Sequence, residues 1–278
     1  MLNRIFRYLV AEYRRWLLQP QNISLIILIL IIRKVVINPL ITASINANSP
    51  LQIFEPCIAV GNSGLILLLL PIFFIVIISD YPFLDSNLYF VLTRIGRRCW
   101  VIAQILFVYI AAFTYVAFLF LATLIQTCFK SYLINGWSLV VTDRNMQSGI
   151  NELIPLNLYN QMPPMQAVIV TYLLLFLFIS LGASVQLLGS AIGRKKVFSI
   201  VWILIIMMGM AAVSLRKNIE WLFPSAHSIL WIHYDKYYRA VRFPILGSIA
   251  ILLCMSVILN ILAYTRMKKS DFSRLKEG

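Results

Sequence analysis

Apolar residues in this chain run in long blocks, separated by short polar segments in which most of the charges collect. Roughly 20 mostly apolar residues, wound as a helix at about 1.5 Å per residue, match the ~30 Å hydrocarbon core of a bilayer. Four blocks reach that length: residues 58–79, 100–125, 168–188 and 245–264. A fifth, 197–215, is slightly shorter and carries no charge. The first block is interrupted, because Ile23 to Ile32 is apolar throughout but Arg33 and Lys34 then precede Val35, Val36 and Ile37. We place this span at residues 22–41, with the cation pair in its outer half. The pattern predicts an all-α integral membrane protein with six transmembrane helices.

Two polar segments carry a helical period of their own. In residues 1–18, Leu2, Ile5, Phe6, Leu9, Tyr13, Trp16 and Leu17 share one face, and Arg4, Arg7, Arg14 and Arg15 share the other. Pro20 ends the pattern. This predicts an amphipathic helix lying in the membrane interface, apolar side down and cations among the headgroups. In the second segment, Pro82 stops the second span from continuing, Asp85 or Ser86 is suited to cap a new helix, and Gly96 to close it with a left-handed residue. A short helix over residues 87–95 results. It displays Leu88, Tyr89, Phe90, Val91 and Leu92, followed by Arg94, Arg97 and Arg98. That much apolar surface on a tight turn needs a cover: the headgroup region, or a partner protein.

Composition agrees with the pattern. Of 278 residues, 61% are hydrophobic and only 12% charged, with a mean hydropathy of +0.86. Soluble domains carry about a quarter charged residues, and disordered chains lack this apolar content. The 24 Lys and Arg against 10 Asp and Glu give a net charge of +14. Here the cations punctuate apolar runs, which points to anionic headgroups and not to nucleic acid. With the N-terminus inside and six spans, the inner segments hold Arg4, Arg7, Arg14, Arg15, Arg94, Arg97, Arg98, Arg194, Lys195, Lys196, Arg266, Lys268, Lys269, Arg274 and Lys276, which is 15 of the 24. By the positive-inside rule both termini are cytoplasmic, with the plasma membrane as the expected location. The first apolar run follows a long basic stretch without a small-residue cleavage site, so it reads as a retained span. The largest polar region, residues 130–166, is then external.

Candidate chemistry is sparse. No GxxxxGK[ST] loop is present, so any ATP hydrolysis belongs to another chain. None of the five uninterrupted spans holds an Asp or Glu, which disfavours a proton-coupled transporter. Gln104, Thr114, Gln186 and Asn260 read as interhelical hydrogen-bonders. Gly189 and Gly193 form a GxxxG, and Ser180 and Ser184 a small-residue pair, suited to close packing within the chain or between copies. Cys57, Cys99, Cys128 and Cys254 lack metal or disulfide spacing, and His227 and His233 lack the i, i+4 spacing of a helical zinc pair. No cofactor or metal is expected on this chain, and no GxSxG, HExxH or paired Asp marks an enzyme. Arg33 and Lys34 either snorkel to the outer headgroups or meet a substrate in an outward cavity, with Glu55 as a counter-ion on the same side.

Four short stretches carry a resemblance: Ile53-Phe54-Glu55-Pro56-Cys57-Ile58, Gly61-Asn62-Ser63, Ser79-Asp80-Tyr81-Pro82, and Thr93-Arg94-Ile95-Gly96-Arg97-Arg98-Cys99-Trp100. They resemble segments of ABC-2-type permeases of small Gram-positive transporters, some associated with bacteriocin export. The topology is similar over the whole chain, the motifs only over residues 53–104. The resemblance implies that residues 87–95 are a coupling helix seated in a separate ABC ATPase, with Leu88, Tyr89, Phe90, Leu92, Arg94, Arg97 and Arg98 at that contact. It further implies ATP and Mg on the ATPase, a second permease copy or a paralogue, and a peptide-like cargo. The rival is a membrane sensor or immunity protein that binds a peptide without moving it.

Overall fold

A computed structural model describes residues 2–82, 88–142, 153–215, 218–235 and 240–269. The elements are α1 (Leu2–Leu17), α2 (Ser24–Ile32), a π-helical turn (Arg33–Ile37), α3 (Asn38–Asn46), β1 (Leu51–Gln52), α4 (Glu55–Asn62), α5 (Gly64–Ile77), α6 (Leu88–Ile95) and α7 (Arg97–Thr127). They continue with β2 (Ser131–Tyr132), α8 (Leu139–Thr142), α9 (Leu156–Tyr159), α10 (Pro164–Ile192), α11 (Lys195–Ser214), α12 (Pro224–Ser228) and α13 (Ile245–Lys269). The two strands are a parallel pair, Leu51 opposite Ser131 and Gln52 opposite Tyr132. Five helical stretches are long and apolar enough to cross a membrane: Pro20–Asn46, Arg97–Lys130, Pro164–Ile192, Lys195–Ser214 and Ile245–Lys268. The pair α4 and α5 makes a sixth if taken as one span.

That pair corrects the expected straight helix over residues 58–79. α4 and α5 meet at 75°, broken at Ser63, whose φ of −73° and ψ of 124° are extended. Asn62 explains how the break is held. Its Nδ2 donates to the Ile58 carbonyl at 2.8 Å and to Thr171 Oγ1 at 3.2 Å, while its Oδ1 accepts the Leu230 N–H at 2.9 Å. Neighbouring elements thus take up polar groups that a helix interruption would leave bare. With 14 residues, α5 is only about 21 Å long, so it needs α4 to span a bilayer.

The first span also differs. It runs to Asn46, beyond the expected end at residue 41, so Arg33 and Lys34 fall at its centre and not in its outer half. Pro39 accounts for the π turn: it has no N–H for the Val35 carbonyl, and the Asn38 N–H bonds to Arg33 O, five residues back. Gly96 does separate α6 from α7, but its φ of 87° and ψ of 143° are an extended positive-φ conformation, not a left-handed helical cap. The suggested caps Asp85 and Ser86 lie outside the described residues.

α10 is the axis of the bundle, 67% of its most apolar stretch being buried against 22% for α13 and 28% for the first span. Its small residues set close contacts within the chain. A Cβ on Gly182 would stand 2.7 Å from the Trp202 ring, and one on Gly189 would stand 2.7 Å from Phe198. Gly193, left-handed at φ 75° and ψ 20°, closes α10 and turns the chain into α11. The GxxxG therefore packs a helical hairpin.

Side-chain contacts sort the helix ends into two groups. At one end, Trp16 Nε1 bonds to Ile77 O, Gln21 to Asp80, Lys195 Nζ to Tyr81 O, and Arg97 Nε to Met267 O. At the other, Glu55 meets Ser138, Trp137 Nε1 donates to Met162 O, and Asn157 donates to Trp231 O. α1 belongs to the first end. Its stripe of Ile5, Leu9 and Trp16 is buried against α7, so the apolar side faces protein, while Phe6 and Leu17 remain exposed.

Candidate functional site

The short helix α6 stands at the first end, between the broken span and α7. Its period divides it. Val91 and Leu92 are half-buried and pack on the main core, while Phe90 is 77% and Tyr89 57% exposed. The Leu88 side chain is outside the described residues. Arg94 and Arg98 are exposed, and Arg97 is half-buried, donating its Nε–H to the Met267 carbonyl at 3.1 Å. Of the expected partner-facing cations, Arg97 is thus spent on tying the start of α7 to the end of α13. α6 is also continuous with α7 through the hinge: the Gly96 N–H bonds to Leu92 O at 2.9 Å, and the Trp100 N–H to Gly96 O at 3.1 Å.

Arg33, Lys34 and Glu55 do not form one site. Both cations are exposed on the outer surface of the first span. Glu55 is fully buried at the start of α4, and among the described residues no ion pair joins it to either. Its Oε1 accepts the Ser138 N–H at 2.6 Å, and its Oε2 accepts the Ser138 hydroxyl at 2.8 Å and the Gln52 N–H at 3.1 Å. Instead of a counter-ion, Glu55 is a clamp that fastens α4 to the segment before α8. Its position in the first turn of α4 adds the favourable field of the helix N-terminus.

A third polar cluster went unread in the sequence. His227 Nδ1 and His233 Nε2 both lie 2.8 Å from Ser248 Oγ. The outer nitrogens face carbonyls, His227 Nε2 on Trp221 O at 3.0 Å and His233 Nδ1 on Ile229 O at 2.8 Å. Carbonyls only accept, so each outer nitrogen carries the ring's proton and both inner nitrogens are acceptors. The single Ser248 hydrogen satisfies one of them. A further proton would complete the second bond, but burial opposes the charge and pushes His233 down to about 4, with His227 lowered as well. Both rings are neutral at physiological pH, enclosed by Trp221 and Phe243, which stack at 4.6 Å. The nearby Glu220 is taken by Arg242 at 3.1 Å. Ser248 was the missing signal, four positions into an apolar span and unremarkable until the fold brings it between two histidines.

The intramembrane polar residues all bond across helices. Gln104 donates to Tyr8, Thr114 meets Tyr13, and Gln186 pairs with Ser199. Asn260 joins Tyr109 at 2.8 Å and Ser184 at 3.0 Å, and Ser256 completes a four-residue knot between α7, α10 and α13. Among the described residues, no group of three or more His, Cys, Asp or Glu is placed to hold a metal. No known protein family, no curated protein and no solved structure matches the chain.

Proposed function

We propose that the chain is the membrane-spanning subunit of an ABC exporter, working with a second permease subunit and with separate ATPases that bind ATP and Mg. The cargo is hydrophobic or amphipathic, a peptide by the resemblance noted above, and the location is the plasma membrane with both termini inside. The observation that carries this reading is α6: an eight-residue helix at one end of the bundle with Tyr89 and Phe90 bare. A groove in the ATPase would bury them, and burying two such side chains is worth about 3–6 kcal/mol. Force applied there would pass through Gly96 into α7 and, by Arg97, into the end of α13.

Arg33 and Lys34 support the pairing with a second permease subunit. Two cations at mid-helix cost about 2.5–3.5 kcal/mol each if they face lipid. A water-filled cavity completed by a second subunit on that surface removes most of the cost.

The test is Tyr89→Ala with Phe90→Ala in the chain co-expressed with an ABC ATPase that co-purifies with the parent chain. Neither residue lies in a span, so insertion proceeds normally. The ATPase should be lost on purification, or its hydrolysis should no longer drive export. Wild-type co-purification together with wild-type export would sink the proposal and leave α6 a surface turn.

A further inference from the structure

We propose that an anionic phospholipid fills the cleft between α1 and α6, its phosphate held by Arg4, Arg7 and Arg94 and an acyl chain lying along Phe90, Val91 and Ile95. The cleft has a volume of about 620 Å³ and is lined by these six residues and Tyr8. The lining follows helical spacing on both sides. Arg4, Arg7 and Tyr8 are i, i+3 and i+4 on α1, and Phe90, Val91, Arg94 and Ile95 are i, i+1, i+4 and i+5 on α6. Each helix therefore turns a single face to the gap.

Charge identifies the missing component. Three guanidinium-bearing side chains line one cleft with no carboxylate among the lining residues. Among the described residues, none of the three has a hydrogen-bond or ion-pair partner. Confining like charges costs free energy, whereas a phosphate accepts paired N–H bonds from arginine forks in the geometry they are built for.

The apolar wall and the height of the cleft distinguish a lipid from a soluble anion. Phe90 is largely exposed, and Phe6 on α1 is 62% exposed. A free phosphate would leave both in water. α1 packs on the first turns of α7, where Ile5 meets Cys99 and Ala103. α7 has 31 residues and is about 46 Å long, against a hydrocarbon core of about 30 Å. Its first turns thus stand where hydrocarbon gives way to headgroups. The floor is fixed, since the Tyr8 hydroxyl accepts bonds from Trp100 Nε1 at 3.0 Å and Gln104 Nε2 at 3.2 Å. Tyr89 does not line the cleft, but Phe90 and Arg94 do, so the lipid would share these two side chains with the surface proposed for the ATPase.

The test needs no ATPase and so stands or falls apart from the transport reading. The full chain is purified in detergent, offered phosphatidylglycerol and phosphatidylcholine in equal amounts, and its retained lipid is counted by native mass spectrometry. Phosphatidylglycerol should be retained in preference. Arg4→Gln/Arg7→Gln/Arg94→Gln should weaken that retention about tenfold or more, since each charge-assisted bond is worth about that much. The charge-matched control Arg14→Gln/Arg98→Gln/Lys196→Gln should retain lipid as the parent does. Equal losses in the two triple variants would mean diffuse attraction and would overturn the proposal. So would displacement of the lipid by glycerol phosphate or inorganic phosphate at matched concentration, which would assign the cleft to a soluble anion. Should the triple variant aggregate, Arg94→Gln alone gives the same comparison against Arg98→Gln.

Discussion

Replacing Glu55 by glutamine changes almost no volume and exchanges one acceptor oxygen for a donating amide, which makes it a sharp probe of how the broken span is held. In the parent, two carboxylate oxygens take three bonds, from Ser138 N–H, Ser138 O–H and Gln52 N–H. Glutamine offers one oxygen and an amide NH₂. With the oxygen toward Ser138 N–H, the NH₂ faces the Gln52 N–H, donor against donor, while the Ser138 hydroxyl can rotate to accept. One backbone N–H is then stranded, and Gln52 is fully buried. A stranded buried donor costs about 1–3 kcal/mol. For a chain of this size that corresponds to a fall in Tm of several degrees. Thermal unfolding of the purified chain in detergent reads it. Ser138→Ala measured alone and combined with Glu55→Gln should give losses that do not add, since the two side chains share one bond whose direction Glu55→Gln reverses. A Glu55→Gln chain melting within about 1 °C of the parent would refute the clamp.

Two further outcomes follow from the other clusters. Burial holds His233 at about 4, below the ~6.5 of an unfolded chain, so the unfolded state takes the proton first. Stability should be level above about pH 6.5 and fall towards pH 4 by about 3 kcal/mol, seen as a declining Tm that His233→Gln flattens; a Tm independent of pH over that window would contradict it. Arg33→Gln/Lys34→Gln should lower export from cells or vesicles while membrane abundance is maintained. Unchanged export would return both side chains to the headgroups.

The sequence makes the helices legible because bilayer-length apolar runs follow from one requirement, satisfied backbone in a dry solvent. It makes α6 legible because Pro82 and Gly96 punctuate it. The break at Ser63 is harder to read, since hydropathy averages over Asn62 and Ser63 without registering that their polar groups need partners from α10 and from residue 230. The mid-helix position of Arg33 depends on where α3 ends, and nothing apolar marks Asn46. Glu55 is visible as a lone acid, but its role turns on Ser138, 83 residues away, and the histidine cluster turns on Ser248. Local pattern fixes elements; long-range polar partners remain invisible until packing supplies them.

The crossing of α4 and α10 gives a test in which one fault should repair another. A Cβ on Gly61 would stand 2.2 Å from Thr171 Cγ2, with the next atom, Thr171 Cβ, at 3.7 Å. Only the methyl group is in the way. Thr171 is fully buried and its hydroxyl accepts from Asn62, so the side chain cannot swing clear without breaking that bond. Gly61→Ala should therefore cost about 1–3 kcal/mol as overpacking, despite alanine's better helix propensity. Thr171→Ser keeps the hydroxyl and deletes the methyl, leaving a small void at a cost of about 1 kcal/mol. Combined, the alanine methyl occupies the space the threonine methyl vacates, and the double variant should be at least as stable as Thr171→Ser alone. Melting temperatures of the four chains in one detergent decide it. If the two losses simply add, α4 and α10 are not in contact at this point.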